Sequence, residues 1–236
     1  MENFFLIIPV YNEDRYIGKL LRELVKIAIN LPQIKQIIIV NDGSTDKTKL
    51  LIKNYEIKIN KKLKDKIVTI SHKKNLGKGA AMTTGMKFAL KRNSDCIIFM
   101  DGDGQHDPKY LPKFVSSLRR HSLVFGYRIL GPEAPYIRKL GNVIARFVFR
   151  HFFHIARKDL LCGFMAMHRT IYKSIKWQSR GYGVEAEISA LTGRKKLPFH
   201  EIKINTVYHE KYKGVTLWDA FIILLKIPFW YFGALI

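Results

Sequence analysis

Four strand-length runs, each ending in a polar or glycine-rich turn, constrain this chain more than anything else in it. They are Phe4 to Pro9, Ile37 to Val40, Lys66 to Ser71 and Cys96 to Met100. Continuous apolar runs of this length suit strands that are covered on both faces. Between them the period changes. After Pro9-Val10-Tyr11-Asn12-Glu13, the residues Ile17, Leu20, Leu21, Leu24, Val25 and Ala28 recur at helical spacing, and Pro32 stands just beyond. Asn41-Asp42-Gly43-Ser44-Thr45-Asp46 leads into the next helix, with Ser44 or Asp46 placed to cap it. Asn75-Leu76-Gly77-Lys78-Gly79 opens a third helix, through about Leu90. This alternation predicts an α/β chain with a mostly parallel sheet and helices on both faces. Functional residues should then gather beyond the carboxyl ends of the strands.

The fourth run delivers the richest such turn, Met100-Asp101-Gly102-Asp103-Gly104-Gln105-His106-Asp107-Pro108. Two carboxylates one residue apart repel each other unless a cation joins them, and the glycines leave room for a bulky ligand. One reading is a hard divalent metal, Mg²⁺ or Mn²⁺, held by Asp101 and Asp103 against a phosphorylated substrate. The other is a solvated Asp-Gly turn, and the turn alone leaves both open. A calcium loop of the EF-hand type is excluded, because His106 and Pro112 stand where glycine and glutamate are required. Gly77-Lys78-Gly79 lacks the spaced glycine and the Ser/Thr of a P-loop. It reads either as a helix start where Lys78 meets an anion or as a plain helix entry.

Charge narrows the partners. With 41 Lys+Arg against 19 Asp+Glu, the net charge of +22 calls for nucleic acid, a phosphorylated substrate or anionic lipid. Hydrophobic residues at 47% and charged residues at 25% exclude both a disordered chain and a polytopic membrane protein. Two cysteines, Cys96 and Cys162, make no disulfide framework and suit a reducing compartment. An acid where a basic n-region would stand argues against reading Met1 to Val10 as a signal peptide.

In the second half, Leu123 to Gly126 reads as a strand and Phe199 to Tyr208 as an edge strand. Over about 138–158, Lys139, Asn142, Arg146, Arg150 and Arg157 fall near one helical face, with Leu140, Ile144, Phe147, Val148, Phe152 and Ile155 largely opposite. Such a helix suits an anionic membrane surface, and equally a core helix with a solvated basic face. From 217 to 236 an apolar, aromatic stretch is interrupted by Asp219, Lys226 and Pro228, so interfacial anchoring is expected rather than spanning. Trp218, Trp230 and Tyr231 suit a headgroup zone.

Pro9-Val10-Tyr11-Asn12-Glu13, Asn41 to Asp46, Asn75 to Gly79 and Asp101 to His106 together resemble the motifs of family 2 glycosyltransferases, in the family's order. Gln105 and His106 are similar to the dolichyl- and polyprenyl-phosphate mannose or glucose synthase branch. The resemblance implies a GT-A fold, Rossmann-like and binding a nucleotide-diphospho-sugar, over residues 1–215, with interfacial membrane helices and a membrane-interface tail at 216–236. It implies that Pro9, Tyr11, Glu13 and Asp42 line the base and ribose pocket. Asp101 and Asp103 hold the metal on the diphosphate, with Gly102 and Gln105 beside them and Lys78 sharing the charge. Arg128 and Arg138 match arginines that bind an acceptor phosphate, a task that suits bidentate guanidinium groups. Asn142 stands where a serine is usual.

Asp159 to Arg169 resembles a further segment, with Cys162 in place of serine, and puts Asp159 on the acceptor side. Glu185 and Glu187 cannot share one side of a helix, so at most one is expected in the site. In His209 to Thr216, Lys211 or Lys213 would supply charge from a loop closing over the diphosphate.

The implied activity is inverting transfer of a hexose from a GDP- or UDP-sugar to a polyprenyl (dolichyl) phosphate at the cytoplasmic face of the membrane. A hydroxyl acceptor on a glycan is the alternative, and it would need Glu185 or Glu187 as base, whereas an ionised phosphate needs none. A non-catalytic nucleic-acid-binding protein is the reading from another class. No nucleic-acid motif supports it, and no nucleic acid is expected.

Overall fold

The computed structural model describes residues 2–58, 65–129, 136–205 and 217–232, the side chains of 136–140 and 217–221 excepted. Its strands are β1 (Phe4–Val10), β2 (Ile34–Asn41), β3 (Ile67–Ser71), β4 (Cys96–Phe99), β5 (Leu123–Arg128), β6 (Met165–His168) and β7 (His200–Ile204). They form one sheet in the order β3-β2-β1-β4-β6-β5-β7. β6 lies antiparallel to both β4 and β5, while the remaining pairs are parallel. The sheet is mostly parallel, as the alternation predicts, and β7 is an edge strand.

The two faces of β1 build two cores. Phe4, Leu6, Ile8 and Val10 point to one side, where they meet α1 (Ile17–Asn30), α2 (Thr48–Lys58) and α4 (Leu111–Leu118). Phe5 and Ile7 point to the other, packing with Ala81, Met82 and Met86 of α3 (Lys78–Lys91) and Val184 and Ile188 of α7 (Val184–Arg194). Proline is rare inside a central strand because it donates no ladder bond. Pro9 is tolerated because Met100 N–H bonds Ile7 O and Asp42 N–H bonds Val10 O, so Pro9 faces β4's side, past the last β4 residue. Gly102 fills that gap, where an added Cβ would meet Val10 and the Pro9 carbonyl.

A third core joins α5 (Tyr136–Phe153), α7 and α8 (Leu217–Phe232) through Phe149, Phe153, Ala186, Ala190, Ile223, Ile227 and Trp230. This corrects two expectations. The helix expected over about 138–158 ends at Phe153, where His154 takes a positive φ of 54°. Arg157 and Ile155 therefore leave its faces and are buried. Trp230, expected among headgroups, is buried as well, and its carbonyl accepts from Arg194 Nη1 at 2.8 Å. The sequence missed this seam because Phe149 and Phe153, four apart, stand outside the apolar row it picked out. Each buries surface worth about 1.5–3 kcal/mol. A short helix, α6 (Arg169–Ser174), follows β6.

Candidate functional site

Loops at the carboxyl ends of β1 and β2 are bonded to one another. Asn12 donates its N–H to Ser44 Oγ (3.0 Å) and accepts from Thr45 N–H (2.9 Å). Asp46 caps α2 through Thr48 N–H (2.9 Å) and also accepts from Asp14 N–H (3.2 Å), so Asp46 is the cap and Ser44 the tie. Glu13 donates its N–H to Thr48 Oγ1 at 2.7 Å, Tyr11 is 39% exposed at the rim, and Pro9 lies buried beneath.

Asp42, expected at a ribose, is tied into the protein. It is 3% exposed, and both oxygens have partners inside the protein. Oδ1 accepts from Leu76 N–H (2.9 Å) and faces His72 Nδ1 (2.6 Å), while Oδ2 accepts from Gly77 N–H (2.8 Å). His72 in turn bonds Thr84 Oγ1 at 2.9 Å. Asp42 braces the entry to α3.

That entry carries Lys78, the first residue of α3, into a partly buried ion-pair cluster. Its ammonium lies 2.5 Å from Asp101 Oδ1 and 2.5 Å from Glu185 Oε1. Two features bring these distant residues together. Glu187 accepts from Gln178 and Ser179 N–H (2.8 and 2.7 Å), fixing the segment before α7. That segment then grips α3, with Ala80 N–H bonding Arg180 O (3.0 Å) and Trp177 Nε1 bonding Gly79 O (3.2 Å). Gly79 permits the approach, since a Cβ there would overlap the Ser179 carbonyl. Glu185 thus faces Lys78 while Glu187 is structural.

The cluster decides the local charge states. Burial alone would pull Lys78 down, but Asp101 and Glu185 outweigh it and hold the ammonium above its usual range. Burial pushes Asp101 up, yet Lys78 and then His106 keep it below the usual carboxylate range. Glu185 goes the other way, raised by burial and by Asp101 beyond what Lys78 offsets.

Around Asp101 the packing is close. His106, 1% exposed, accepts from Asp101 N–H through Nδ1 (3.3 Å), and burial holds its pKa low. Its Nε2 lies 3.9 Å from Cys162 Sγ, a thiol that burial pushes up to about 12. A Cβ on Gly163 would stand 2.5 Å from both Asp101 oxygens. Asp103 Oδ1 accepts from Gln105 N–H at 2.9 Å.

Across the crevice Arg128, the last residue of β5, clasps Asp159. Nε and Nη2 reach its two oxygens at 2.7 and 3.2 Å, and Arg128 N–H adds a third bond at 3.2 Å. Burial raises Asp159, but Arg128 holds it below the ordinary carboxylate range. The two residues expected on an acceptor phosphate are therefore partners of each other. Asn142 lies on α5 and bonds none of these groups among the described residues. Arg138's side chain, Lys211 and Lys213 lie outside the described residues.

His106, Gly163, His72 and Arg157 carry site architecture that the sequence reading did not assign. Arg157, 1% exposed, stacks over Phe125 (3.6 Å) and donates to Ser189 Oγ (2.6 Å). The one available signal was His106, directly after Gln105 in the acidic turn.

A family model described as glycosyl transferase family 2 matches residues 5–176. The chain is 30% identical over 221 residues to a UDP-N-acetylglucosamine–dolichyl-phosphate N-acetylglucosaminyltransferase of Methanococcus voltae, covering 87% of this chain and 86% of that one. It is 27% identical over 212 residues to an undecaprenyl-phosphate mannosyltransferase of Micrococcus luteus, covering 86% and 83%. The fold matches glucosyl-3-phosphoglycerate synthase of Mycobacterium tuberculosis bound to uridine diphosphate, with a TM-score of 0.72 and 17% identity over 97% of this chain and 80% of that one. That enzyme has also been crystallised with Mn²⁺, uridine diphosphate and phosphoglyceric acid.

Proposed function

Because this chain belongs to glycosyl transferase family 2 and has its GT-A fold, we propose that it transfers a hexose from a GDP- or UDP-sugar to a polyprenyl or dolichyl phosphate. The work would be done at the cytoplasmic face of a membrane. The observation that carries this reading is the shared sheet edge, where Asp101 and Asp103 follow β4 and the Arg128–Asp159 pair stands at the end of β5. β4 and β5 run in the same direction on either side of β6, so Asp101 and Arg128 follow strands that end at one edge of the sheet.

The donor set fits a hard cation. Asp101 and Asp103 offer only carboxylate oxygen, the chemistry of Mg²⁺ and Mn²⁺. Asp101 already draws a positive charge, Lys78, to 2.5 Å. A bound divalent ion would stabilise the charge of a departing diphosphate. Lys78 adds charge from the same side, and Glu185 and Asp101 keep it protonated. Asp159 aims the guanidinium of Arg128, whose remaining N–H groups suit phosphate oxygens. Tyr11, Glu13 and Gln105 line the donor side in this reading, and Arg138, Lys211 and Lys213 stay assigned to the phosphates.

A membrane-bound acceptor accords with the surface. Helices α5 and α8 meet through Phe152 and Tyr231 (ring centroids 5.7 Å apart). They expose Ile144, Phe147 (73%), Phe229 (71%) and Phe232, with Arg146 and Arg150 nearby on α5. Exposed aromatics beside arginines suit anionic headgroups. No helix among the described residues is long and apolar enough to cross a membrane.

Glu185 favours a second reading, transfer to a hydroxyl. It is buried in the crevice with its pKa raised, as a general base requires. The test is a donor screen: protein with polyprenyl phosphate, Mg²⁺ or Mn²⁺ and each GDP- or UDP-sugar, following sugar into the organic phase. Metal-dependent glycolipid from one donor, lost in Asp103→Ala, supports the phosphate acceptor. Nucleotide release with no glycolipid, abolished by Glu185→Gln, moves the assignment to a hydroxyl acceptor.

A further inference from the structure

At the opposite end of β4, far from the crevice, three metal-ligating side chains converge. Cys96 opens β4, and His168 closes β6 directly across the ladder from it. Glu2 reaches the same point, because the N–H groups of Asp95 and Cys96 bond Asn3 O (3.0 and 3.1 Å) and Asn3 N–H bonds Asp95 Oδ2 (3.0 Å). The Cys96 Sγ, a His168 ring nitrogen and a Glu2 carboxylate oxygen all lie within 4.8 Å of one another. A tetrahedral zinc site holds such atoms about 3.3–3.8 Å apart, given metal–ligand distances near 2.0–2.3 Å. Side-chain rotation of Glu2, Cys96 and His168 covers the remaining difference.

The tautomer of His168 gives an independent reason. Its Nε2 lies 3.0 Å from the carbonyl of Leu118, the last residue of α4, and a carbonyl can only accept. Nε2 therefore carries the proton, and in the neutral ring the Nδ1 lone pair faces the Glu2 carboxylate at 3.9 Å. The Cys96 thiol donates to the same carboxylate, so the three ligand atoms converge on one point, which a cation replacing the thiol proton would fill. A backbone carbonyl on the far nitrogen is the usual outer partner of a metal-bound histidine. A cleft of about 380 Å³, lined by Glu2, Asp95, His168, Arg169 and Thr170, gives access.

We propose that Glu2, Cys96 and His168 form a zinc-binding site, with the fourth position open to the cleft. The mixed S, N, O set selects a transition metal rather than Mg²⁺ or Ca²⁺. The site would tie residues 2–3 to β4 and β6.

The experiment is titration of chelator-stripped protein with Co²⁺, whose thiolate complexes show a sulfur-to-metal charge-transfer band. One equivalent should raise the band, and Zn²⁺ should abolish it by displacement. Cys96→Ser should lose it, and His168→Ala should weaken Zn²⁺ binding by at least about 10-fold, the floor for disturbing even an outer partner. Glu2→Gln, at a side chain 40% exposed, tests the site without touching the core. Asp103→Asn should keep the band, since its carboxylate stands beyond the other end of β4 and supplies no sulfur. The proposal therefore fails or stands separately from the donor screen. No charge-transfer band at one equivalent, or a band that survives Cys96→Ser, overturns it.

Discussion

Replacing Lys78 by methionine tests the electrostatics of the crevice directly. The substitution keeps the length of the side chain and removes the ammonium that joins Asp101 to Glu185, each 2.5 Å away. The two facing oxygens are then no more than about 5 Å apart, and at an effective dielectric near 20 two charges at that distance repel by about 3 kcal/mol. Removing one partner of a buried ionic set typically costs about 3–5 kcal/mol. Both carboxylates are shielded enough for this to apply, with 20% and 3% side-chain exposure. Lys78→Met should therefore lose about 3–5 kcal/mol at pH 7 in urea unfolding.

The sign of its pH dependence follows. Glu185 already titrates above its ordinary value, and losing Lys78 raises it further. A raised carboxylate favours the folded state at low pH and penalises it as pH rises through the folded pKa. The deficit should thus be smaller at pH 5 than at pH 7. Adding Glu185→Gln should recover most of it. A Lys78→Met protein within about 1 kcal/mol of wild type at pH 7, the range of an exposed pair, would refute the reasoning. So would a deficit equal at both pH values.

Gly163→Ala puts a Cβ 2.5 Å from both oxygens of Asp101, so glycosyl transfer should fall about 100-fold while circular dichroism stays native. Arg157→Met should leave stability unchanged or raise it by about 1–4 kcal/mol in thermal unfolding, because Nε and Nη2 of the buried guanidinium have no hydrogen-bond partner among the described residues. Asp159 is held low by Arg128, so the stability it contributes is present above its ordinary value near 3.9 and is lost as pH falls through the folded pKa. Asp159→Asn should flatten that acid limb of the stability curve. Phe147→Ser with Phe229→Ser should weaken sedimentation with anionic vesicles by at least about 10-fold, since each inserted phenylalanine is worth about 1.5–3 kcal/mol, and should barely move the melting temperature.

The sequence made the first half legible because each strand and its turn are local. Periodicity and turn signals placed β1 to β4 and the three helices between them, and the turn after β4 named Asp101 and Asp103 without any long-range information. Lys78 was placed at a helix start, but its partner was not readable, because Glu185 comes from a distant helix. That meeting depends on Glu187 fixing the segment that grips α3. The internal bonds of Asp42 were hidden for a related reason. A carboxylate after a strand serves a ligand or the backbone equally well, and only the fold delivers Leu76 and Gly77 N–H to it. In α5 the error was one of period. The apolar row with Ile144 and Phe147 is exposed, while Phe149 and Phe153 carry the packing.

The reversal of β6 was not readable either, and it is the feature on which the site turns. A strand as short as Met165–His168 has no pattern that distinguishes its direction. Running antiparallel between β4 and β5, it brings the segment preceding it to the same sheet edge as the carboxyl end of β4. Asp159, Cys162 and Gly163 all lie on that segment. Had β6 run parallel, its leading segment would arrive at the other edge. Asp101 would lose the close approach of Gly163, His106 the neighbouring thiol, and Arg128 the carboxylate that aims it. The same reversal sends the end of β6 the other way, setting His168 beside Cys96. One antiparallel strand thus supplies both the acceptor side of the crevice and a ligand of the proposed zinc site.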